Sequence, residues 1–376
     1  MIKKISFHCA STLFIVYGLV SCASIPNSKS GNSFEIRYLD EYVIYNDSIF
    51  EGSKIGGLSG IEYNKEKNTY YVVCDDAKNP RFYKVSITLE NNKFNKVAVD
   101  QLIKIKDKHN QFLDKNVADL EAIRTFGRDK FIFASEGSIK HTYNPAIFIT
   151  DAAGNYQKQI QLPSYFLTDS TSVNKPRHNG IFEGLVNDIT SKGYWAAMEL
   201  PLELDGEEPA IDNSGAPVRI THFNINTNQA DFQFTYPLDK LSKDPKGKFG
   251  VNGVTALQQL TKNQFLIVER GYAAGYGTQG NTVRIYLTNT KDVTNTLDFE
   301  SLKDKKYQSA TKQLLFDFES IRNQLTDQII DNIEGITFGP ILANGNQSLL
   351  LISDNNFNPI TEQINQLILL ELIKNP

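Results

Sequence analysis

The sequence is poor in cysteine, histidine and tryptophan. Its 376 residues include three cysteines, five histidines and one tryptophan. Cys9 lies in a predicted N-terminal leader and Cys22 is a predicted lipidation site, which leaves Cys74 without a disulfide partner. We expect Cys74 to be buried and inert. Without a disulfide, the fold must be stabilised by its hydrophobic core. No pair of histidines has the spacing of a zinc motif, so a zinc site is not expected.

Excess positive charge is lacking as well. The chain carries 39 Lys and Arg against 43 Asp and Glu, which gives a net charge of −4 and a pI near 5.8. No basic run contradicts this balance, so nucleic acid is not an expected partner. Nicotinamide, flavin and haem signatures are absent, and no organic cofactor is expected. Gly57-Leu-Ser59-Gly60 lacks the spacing of a serine-hydrolase nucleophile elbow.

An N-terminal leader is predicted over residues 1–21. A basic start and a mainly apolar stretch lead to Leu19-Val-Ser-Cys22, which resembles a bacterial lipobox. The stretch is short for a membrane span, so we predict a signal peptide with lipidation at Cys22 and a small, polar tether over 22–33. Ala23, where an Asp would favour the inner membrane, indicates an anchor in the outer membrane of the bacterial cell envelope. An uncleaved N-terminal anchor is the alternative.

The rest of the chain, residues 34–376, has no internal linker and is predicted to be one domain. A short pattern occurs five times in it: a small residue in an apolar run, a polar break, and a second apolar run that ends near an acid. Such a pattern predicts a β-hairpin. The small residues are separated by 62, 62, 69 and 82 positions, and are Gly60, Ala122, Gly184, Gly253 and Gly335. Repetition at this spacing favours an all-β fold, the β-propeller.

Further alternating runs lie between the five copies and are typical of outer strands with one buried face. They cover residues 81–87, 96–99, 146–150, 219–225 and 282–287. Residues 34–50 and 366–373 are strand-like too, and could close one blade from the two ends of the domain. We expect six blades, of which five are visible as repeats. Residues 312–330 have helical spacing in part, and the glycine-rich stretch 271–280 is expected to be a loop.

Eight motifs follow one another in the chain. They are Gly57-Leu-Ser-Gly-Ile, Asp75-Asp with Arg81-Phe-Tyr, Asp119-x-Glu-Ala-Ile, Asn179-Gly-Ile-Phe-Glu-Gly-Leu, Glu199-x-Pro-Leu, Glu269-Arg-Gly-Tyr, Asp331-Asn-Ile-Glu-Gly-Ile and Ser353-Asp-Asn-Asn-Phe. In this order they resemble the phytase-like family, described as esterase-like activity of phytase. The resemblance implies a propeller, often secreted or lipid-anchored in bacteria, that hydrolyses esters or phosphoesters. The family differs from the calcium-dependent propeller phytases. Ser59 and Asn252 replace the repeated Glu in two copies, so a fully symmetrical acidic ring is not expected.

The repeat also predicts where the acids lie. In an antiparallel hairpin the start of the first strand is beside the end of the second, so the acids should ring one mouth of the channel. Carboxylates suit Ca²⁺ or Mg²⁺, and the candidate metal ligands are Glu121, Glu183, Glu199, Glu269, Glu334 and Asp354. A bound metal could polarise an ester and activate water, with Glu121, Glu183 or Glu334 as general base. The alternative, favoured for Asp75 and Asp354, is that each acid accepts hydrogen bonds from backbone amides of the neighbouring blade.

Arginines near the acidic ends suit an anionic substrate, because guanidinium groups bind phosphate and carboxylate in a fork. Arg177 and Arg270 are candidates for catalysis, although Arg270 could simply neutralise a Glu of a neighbouring blade. The candidate substrate-binding residues are Arg81, Arg177, Asn179, Arg270, Asn332 and Asn355.

Two functional classes follow from this sequence. The first is a metal-assisted hydrolase of a small phosphoester or carboxylic ester at the channel mouth. The second is a non-catalytic envelope propeller that binds a glycan, a peptide or a partner protein. The hydrolase predicts at least three clustered carboxylates, whereas the binding module predicts acids tied singly to backbone amides beside an aromatic groove. No oligomeric state is predicted.

Overall fold

The computed structural model describes residues 34–114, 117–141, 143–358 and 363–375. The predicted leader, the lipidation site Cys22 and the tether lie outside these residues and stay predictions. Within the described ranges no helix is long and apolar enough to cross a membrane. Helical structure in those ranges is limited to short 3-10 segments, at Ile139–His141, Ser164–Phe166, Gly277–Gln279, Phe318–Gln324 and Thr326–Gln328.

The described chain is built from antiparallel strands. Strand β1 (Phe34–Ile44) precedes a small hairpin of β2 (Ile49–Phe50) and β3 (Ser53–Lys54). The first blade consists of β4 (Gly60–Asn64), β5 (Thr69–Cys74), β6 (Arg81–Glu90) and β7 (Lys93–Lys104). The second consists of β8 (Leu120–Phe126), β9 (Lys130–Ser135), β10 (Ala146–Asp151) and β11 (Tyr156–Gln159).

Three more blades follow in the same order, from the channel outwards. The third consists of β12 (Phe182–Asn187), β13 (Gly193–Met198), β14 (Val218–Asn224) and β15 (Gln229–Tyr236). The fourth consists of β16 (Gly250–Thr261), β17 (Gln264–Ala273), β18 (Asn281–Asn289) and β19 (Thr311–Asp317). The fifth consists of β20 (Asn332–Ile341), β21 (Gln347–Asp354), β22 (Asn365–Lys374) and the N-terminal strand β1.

The two ends of the domain close the ring, as the sequence predicted. Strand β1 pairs antiparallel with β22, from Phe34 opposite Lys374 to Ile44 opposite Asn365. The expectation of six blades is wrong, because the described residues form five four-stranded sheets. The N-terminal strand completes the fifth blade instead of starting one of its own. Inner strand β20 therefore packs directly against β4, and the ring closes at five.

The partial helical spacing over residues 312–330 corresponds to a strand followed by two short helical segments. Thr311–Asp317 forms the outer strand of the fourth blade and pairs with β18. Only the two short segments Phe318–Gln324 and Thr326–Gln328 are helical, and both are 3-10 segments. The predicted outer strands are confirmed, since all of them form third or fourth strands of blades. Cys74 is fully buried, as expected.

Small residues recur in the repeat because the inner strands converge at the channel. A Cβ on Gly60 would lie 2.8 Å from the backbone oxygen of Glu121 and 3.0 Å from the Cα of Ala122. A Cβ on Gly335 would lie 3.1 Å from the Cα of Gly60. These contacts are tighter than a larger side chain allows without shifting backbone. The small residue of the repeat is therefore the point of closest approach between neighbouring blades.

We expect the substitution Gly335→Val to lower the free energy of unfolding by about 1–3 kcal/mol, because the added atoms would overpack the contact between β20 and β4. Urea denaturation of the wild type and the variant measures this. Ile341→Val is the control on the same strand: Ile341 is 55% exposed, and its substitution should change stability by less than about 0.5 kcal/mol. Equal stability of the wild type and the Gly335 variant would contradict the close-approach explanation.

Candidate metal centre at the channel mouth

Three of the predicted acids occupy β-bulges of the inner strands. In the second blade Leu120 pairs with Ser135 and Ala122 with Ala134, so the register skips Glu121. Glu183 and Glu334 are skipped in the same way in the third and fifth blades. A bulge bends the strand and redirects the side chain of the extra residue. All three carboxyl groups line one cavity at this end of the channel.

Five residues at the ends of the second strands complete the same ring. In each hairpin the small residue of the first strand pairs with a residue of the second strand, and the ring residue lies two positions after that partner. The small residue is Ala256 in the fourth blade. The five ring residues are Asp75, Glu136, Glu199, Arg270 and Asp354. The hairpin register therefore brings the starts of the first strands and the ends of the second strands to one mouth of the channel, as predicted.

The fourth blade departs from the alignment made on the sequence. Its register pairs Val254 with Glu269 and Ala256 with Val268, and skips Thr255. Thr255 and Ala256 thus occupy the places that Glu183 and Gly184 occupy in the third blade. Aligning the fourth copy of the repeat on Gly253 therefore misplaces it by three residues. The error arises because Asn252-Gly253 resembles the repeat.

This shift removes Glu269 from the group of candidate metal ligands. Its carboxylate accepts hydrogen bonds from the Tyr236 hydroxyl at 2.7 Å, from the Asp239 amide at 3.1 Å and from the Asn252 side chain at 2.8 Å. Lys312 forms an ion pair with it. Glu269 therefore lies outside the cavity and is part of a polar network of the blade, while Arg270 lines the channel.

The cavity at the mouth has a volume of about 730 Å³ and is strongly acidic. Among the described residues, its lining offers one guanidinium group, that of Arg270, and no lysine. The acids of the ring that line it are Asp75, Glu121, Glu136, Glu183, Glu199, Glu334 and Asp354, and Asp119 joins them. Such a concentration of negative charge needs cations or protons.

Two overlapping groups of carboxylates have the spacing of a metal site. Asp119, Glu121 and Glu136 form one group, and Glu136, Glu183 and Glu199 form the other. In each group, one oxygen per residue lies within 4.8 Å of the others. Oxygen ligands at about 2.3–2.6 Å from a Ca²⁺ ion lie within about 5 Å of one another. Both groups can therefore surround a hard cation.

Glu183 gives an independent sign that a ligand belongs in this cavity. The residue is only 7% exposed, and its Oε2 atom has no hydrogen-bond partner among the described residues. A buried carboxylate oxygen without a partner is costly, and native structures avoid it unless water or an ion supplies the contact. The unpaired oxygen of Glu183 thus fits a cation in the group that it shares with Glu136 and Glu199.

Burial raises the pKa values of these carboxyl groups, and their mutual repulsion adds to the effect. The pKa of Asp119 rises to about 7, and the pKa of Glu136 to about 8. Burial and the neighbouring acids raise the pKa values of Glu121 and Glu183 well above the usual range. Without a cation, the cluster therefore holds protons near neutral pH.

Arg270 bridges two acids of neighbouring blades. Its Nη2 atom lies 3.2 Å from Glu199 Oε1 and 3.3 Å from Glu334 Oε1. The Nε atom is buried and has no hydrogen-bond partner among the described residues. Asn332 donates a hydrogen bond of 2.7 Å to Glu334, whose pKa burial still raises to about 8. Arg270 therefore neutralises two glutamates and supplies the cavity lining with a positive charge.

Asp75 and Asp354 form a carboxyl pair on the other side of the mouth. Burial raises both pKa values, that of Asp75 to about 6 and that of Asp354 well above its usual range. The two side chains hydrogen-bond to each other, which requires one proton shared by the pair. Asp354 Oδ1 also accepts from the Asn356 amide at 2.7 Å. This amide belongs to Asp354's own blade, whereas the prediction was of an amide from a neighbouring blade.

Arg124 joins three inner strands, three positions after Glu121 on β8. Its guanidinium donates to the backbone oxygens of Ile61 and Ile123, each at 2.8 Å, and of Ile336 at 3.1 Å. No sequence feature distinguishes Arg124, because its partners are backbone carbonyls, two of them on other blades. Arg124 stabilises the ring on which the acids are placed.

Three predicted substrate-binding residues do not line the cavity. Arg81 is fully buried and binds Asp76, Tyr83 and backbone oxygens. Arg177 donates to the backbone oxygens of Pro201 and Gly206 and pairs with Glu208 at 3.3 Å.

Asn355, the third of these residues, accepts from the amide of Gly57 and donates to Asn46. Asn179 and Asn332, in contrast, do line the cavity. The position of Arg177 beside the rim makes it a support for the loop that carries Glu208, since its guanidinium is engaged by that loop.

Asp119 and Glu136 were left out of the predicted metal ligands, although both belong to the groups described above. Glu136 closes the second run of its copy in the same way as Glu199, and this equivalence was the available signal. Asp119 lies before the first strand, and no repeat feature marks it. Its place in the cavity depends on how the chain enters the second blade.

Fold and site together define a five-bladed β-propeller with an acidic channel mouth. A model of the phytase-like family, described as esterase-like activity of phytase, matches residues 53–357. The chain therefore belongs to the phytase-like family, and the predicted resemblance is confirmed. Membership is consistent with a hydrolase role for the propeller.

The solved structures that match this chain are distant from it in sequence and in structure. A GH43 β-xylosidase/α-arabinofuranosidase from a compost microbial metagenome is 11% identical, with a TM-score of 0.39, covering 85% of this chain and 92% of that one. The Cps50 (Swd1) β-propeller domain of Myceliophteria thermophila is 9% identical, with a TM-score of 0.35, covering 83% and 96%. No curated protein matches at a significant level. The propeller assignment rests on the strand order itself.

We expect the metal-free protein to melt at a lower temperature at about pH 8 than at about pH 5. An acid whose pKa is raised by folding stabilises the folded state fully below its unfolded pKa, near 4, and loses that contribution as the pH rises through the folded value. For Asp75, Asp119, Glu136 and Glu334 the folded values lie between about 6 and 8. Thermal melts in chelator across this range measure the effect.

The Glu136→Gln variant tests this pH dependence. Its melting temperature should change less between about pH 5 and about pH 8, because the substitution removes one titrating group and one source of repulsion. Added Ca²⁺ should raise the melting temperature more at about pH 8 than at about pH 5, where protons compete for the carboxylates. A melting temperature that rises with pH in chelator would contradict the raised pKa values.

Proposed function

We propose that this propeller is a hydrolase of phosphoesters that depends on a divalent cation, Ca²⁺ or Mg²⁺, at the channel mouth. The observation that carries the proposal is the pair of carboxylate groups that share Glu136, with the unpaired oxygen of Glu183 in one of them. Hard oxygen ligands in this number suit Ca²⁺ or Mg²⁺ and do not suit softer metals. No organic cofactor is part of the proposal.

The residues that would hold the cation are those of the two groups, namely Asp119, Glu121, Glu136, Glu183 and Glu199. Glu334 and Asp354, which the sequence also suggested as ligands, lie in the same cavity but outside both groups. A bound divalent cation would supply charge stabilisation for an ester oxygen and a lower pKa for water.

The remaining charged residues of the mouth can serve the reaction itself. Arg270 lines the cavity, and its guanidinium group can bind an oxygen of an anionic substrate. Glu334, next to Arg270 and Asn332, is placed to accept a proton from water. The hydrogen-bonded pair of Asp75 and Asp354 can donate its shared proton to the leaving oxygen. The mouth thus combines an anion-binding group, a base and an acid.

Two observations favour a hydrolase of phosphoesters over a module that only binds. Most acids of the mouth are clustered, and Glu136 and Asp354, which accept hydrogen bonds from the backbone amides of Ile181 and Asn356, belong to the same cavity. The guanidinium beside the carboxylate groups favours a substrate with negative charge, which a phosphoester carries and a carboxylic ester lacks. Carboxylic esters stay the alternative substrate.

We also propose that the protein acts at the bacterial cell envelope, held by a lipid on Cys22 in the outer membrane. This rests on the lipobox-like Leu19-Val-Ser-Cys22 and on Ala23 after it. A small phosphoester, reaching the mouth from the surrounding solvent, would be the substrate.

We expect the purified protein to release 4-nitrophenol from 4-nitrophenyl phosphate in Ca²⁺ or Mg²⁺, and to lose this activity in chelator. Glu183→Gln should lower kcat/KM by about 100-fold or more, because it removes a metal ligand. Glu66→Gln is the control, since Glu66 is exposed in the turn at the far end of the first hairpin. If the chelator is shown to remove the metal and turnover is unchanged, the proposal of a metal-dependent hydrolase is wrong.

Arg270→Lys should lower kcat/KM for 4-nitrophenyl phosphate by about 10-fold or more, since Lys cannot place two donors in a fork. The same variant should leave hydrolysis of 4-nitrophenyl acetate, if measurable, changed by less than about threefold. Lys keeps a positive charge between Glu199 and Glu334, so stability should be largely retained, and thermal melting checks this. Equal losses on both substrates would argue against a role of Arg270 in binding the phosphate.

A further inference from the structure

The channel mouth is polarised, because the fourth blade breaks the acidic pattern. This blade has Thr255 at the bulge where the second, third and fifth blades have a glutamate, and Arg270 where all four other blades have an acid. Its part of the rim carries two aromatic residues, Phe249 and Tyr272, which line the cavity together with Val251. Both carboxylate groups lie on the second and third blades and the chain entering them. One side of the mouth therefore suits a cation, and the other offers a guanidinium group and aromatic rings.

Phe249 is exposed although it is a large apolar residue. It is 58% exposed at the edge of the cavity, at the start of the fourth blade. Its ring centroid lies 6.1 Å from that of Tyr272, and the planes are inclined at 40°. Ring pairs at this distance form one continuous apolar surface. An exposed aromatic residue at the edge of an acidic cavity is a feature that a bound molecule would cover.

The aromatic pair is held in place by the β16–β17 hairpin. Val251 pairs with Tyr272, and the Ala274 amide donates to the Phe249 oxygen at 2.9 Å. A Cβ on Gly280 would lie 2.7 Å from Cε2 of Tyr272, so the glycine lets the chain pack closely against the tyrosine ring. The surface is thus built on paired strands and is preorganised for a ligand.

Arg270 and Tyr272 are two positions apart on β17, in a stretch that is regularly paired. Side chains at positions i and i+2 of a strand point to the same face, and their Cα atoms lie about 7 Å apart. A phosphoryl group at Arg270 and a ring at Tyr272 are therefore separated by roughly the length of one small ester. The spacing matches a phosphate directly attached to a ring.

We propose that Phe249 and Tyr272 form a subsite for a flat, apolar ring on the alcohol part of the substrate. The preferred substrates are then aryl phosphate monoesters, with the phosphate between Arg270 and the carboxylate groups and the ring on Phe249. This inference rests on the proposed phosphoester hydrolysis for its substrate, but the ring subsite can be tested by binding alone.

The test compares phenylphosphonate with methylphosphonate, two stable analogues that differ in the ring, by calorimetry on the protein in Ca²⁺. Wild type should bind phenylphosphonate at least about 10-fold more tightly, because the ring buries apolar surface on Phe249. Phe249→Ala should reduce this preference to about twofold or less and leave methylphosphonate binding unchanged. Phe249→Trp should keep it. Phe112→Ala is the matched control, because Phe112 is also 58% exposed but does not line the cavity.

Binding and hydrolysis separate the two proposals. A ring preference that depends on Phe249 in a protein without phosphatase activity would support the subsite and overturn the proposed function. Metal-dependent turnover with equal binding of both phosphonates would overturn the subsite alone. If phosphonates bind equally or do not bind and no turnover occurs, both proposals are wrong. If Phe249→Ala weakens the binding of both phosphonates equally, Phe249 has a structural role and the subsite proposal is wrong.

Discussion

The close approach of five inner strands is the constraint on which the site depends. Neighbouring strands meet at Gly60, Ala122, Gly184, Ala256 and Gly335, where there is little room for larger side chains. The bulged residue just before three of these positions is turned into the channel. Packing and function are therefore linked, because the contact that closes the ring also directs the acids to one place.

Bringing these carboxylates together is electrostatically costly. Burial disfavours their charged forms, and each acid repels its neighbours, so the protein without a cation holds protons that it would lose in the unfolded state. A divalent cation would replace those protons with a stronger favourable interaction. The unpaired oxygen of Glu183 and the two groups that share Glu136 place that cation on the second and third blades.

The fourth blade converts a repeated arrangement into a directional one. In place of an acid it supplies Arg270, which pairs with glutamates of both neighbouring blades, and it adds Phe249 and Tyr272 at the rim. A symmetrical ring of acids would bind a cation without orienting a substrate. With Arg270, Phe249 and Tyr272, the fourth blade would orient the anion and the attached ring of the proposed substrate beside the carboxylates. This orientation distinguishes the proposed reaction from simple cation binding.

The sequence by itself determined the hairpin repeat, the all-β propeller, its closure by both ends and the gathering of Glu121, Glu183, Glu199 and Glu334, because alternation and turn spacing are local properties. Only the tertiary structure decided that the blades number five and that Arg270, not Glu269, faces the channel. A register shift of one strand changes which face a side chain occupies, and no local pattern distinguished Asn252-Gly253 from Thr255-Ala256. The roles of Asp119 and Arg124 were likewise set by contacts between distant blades.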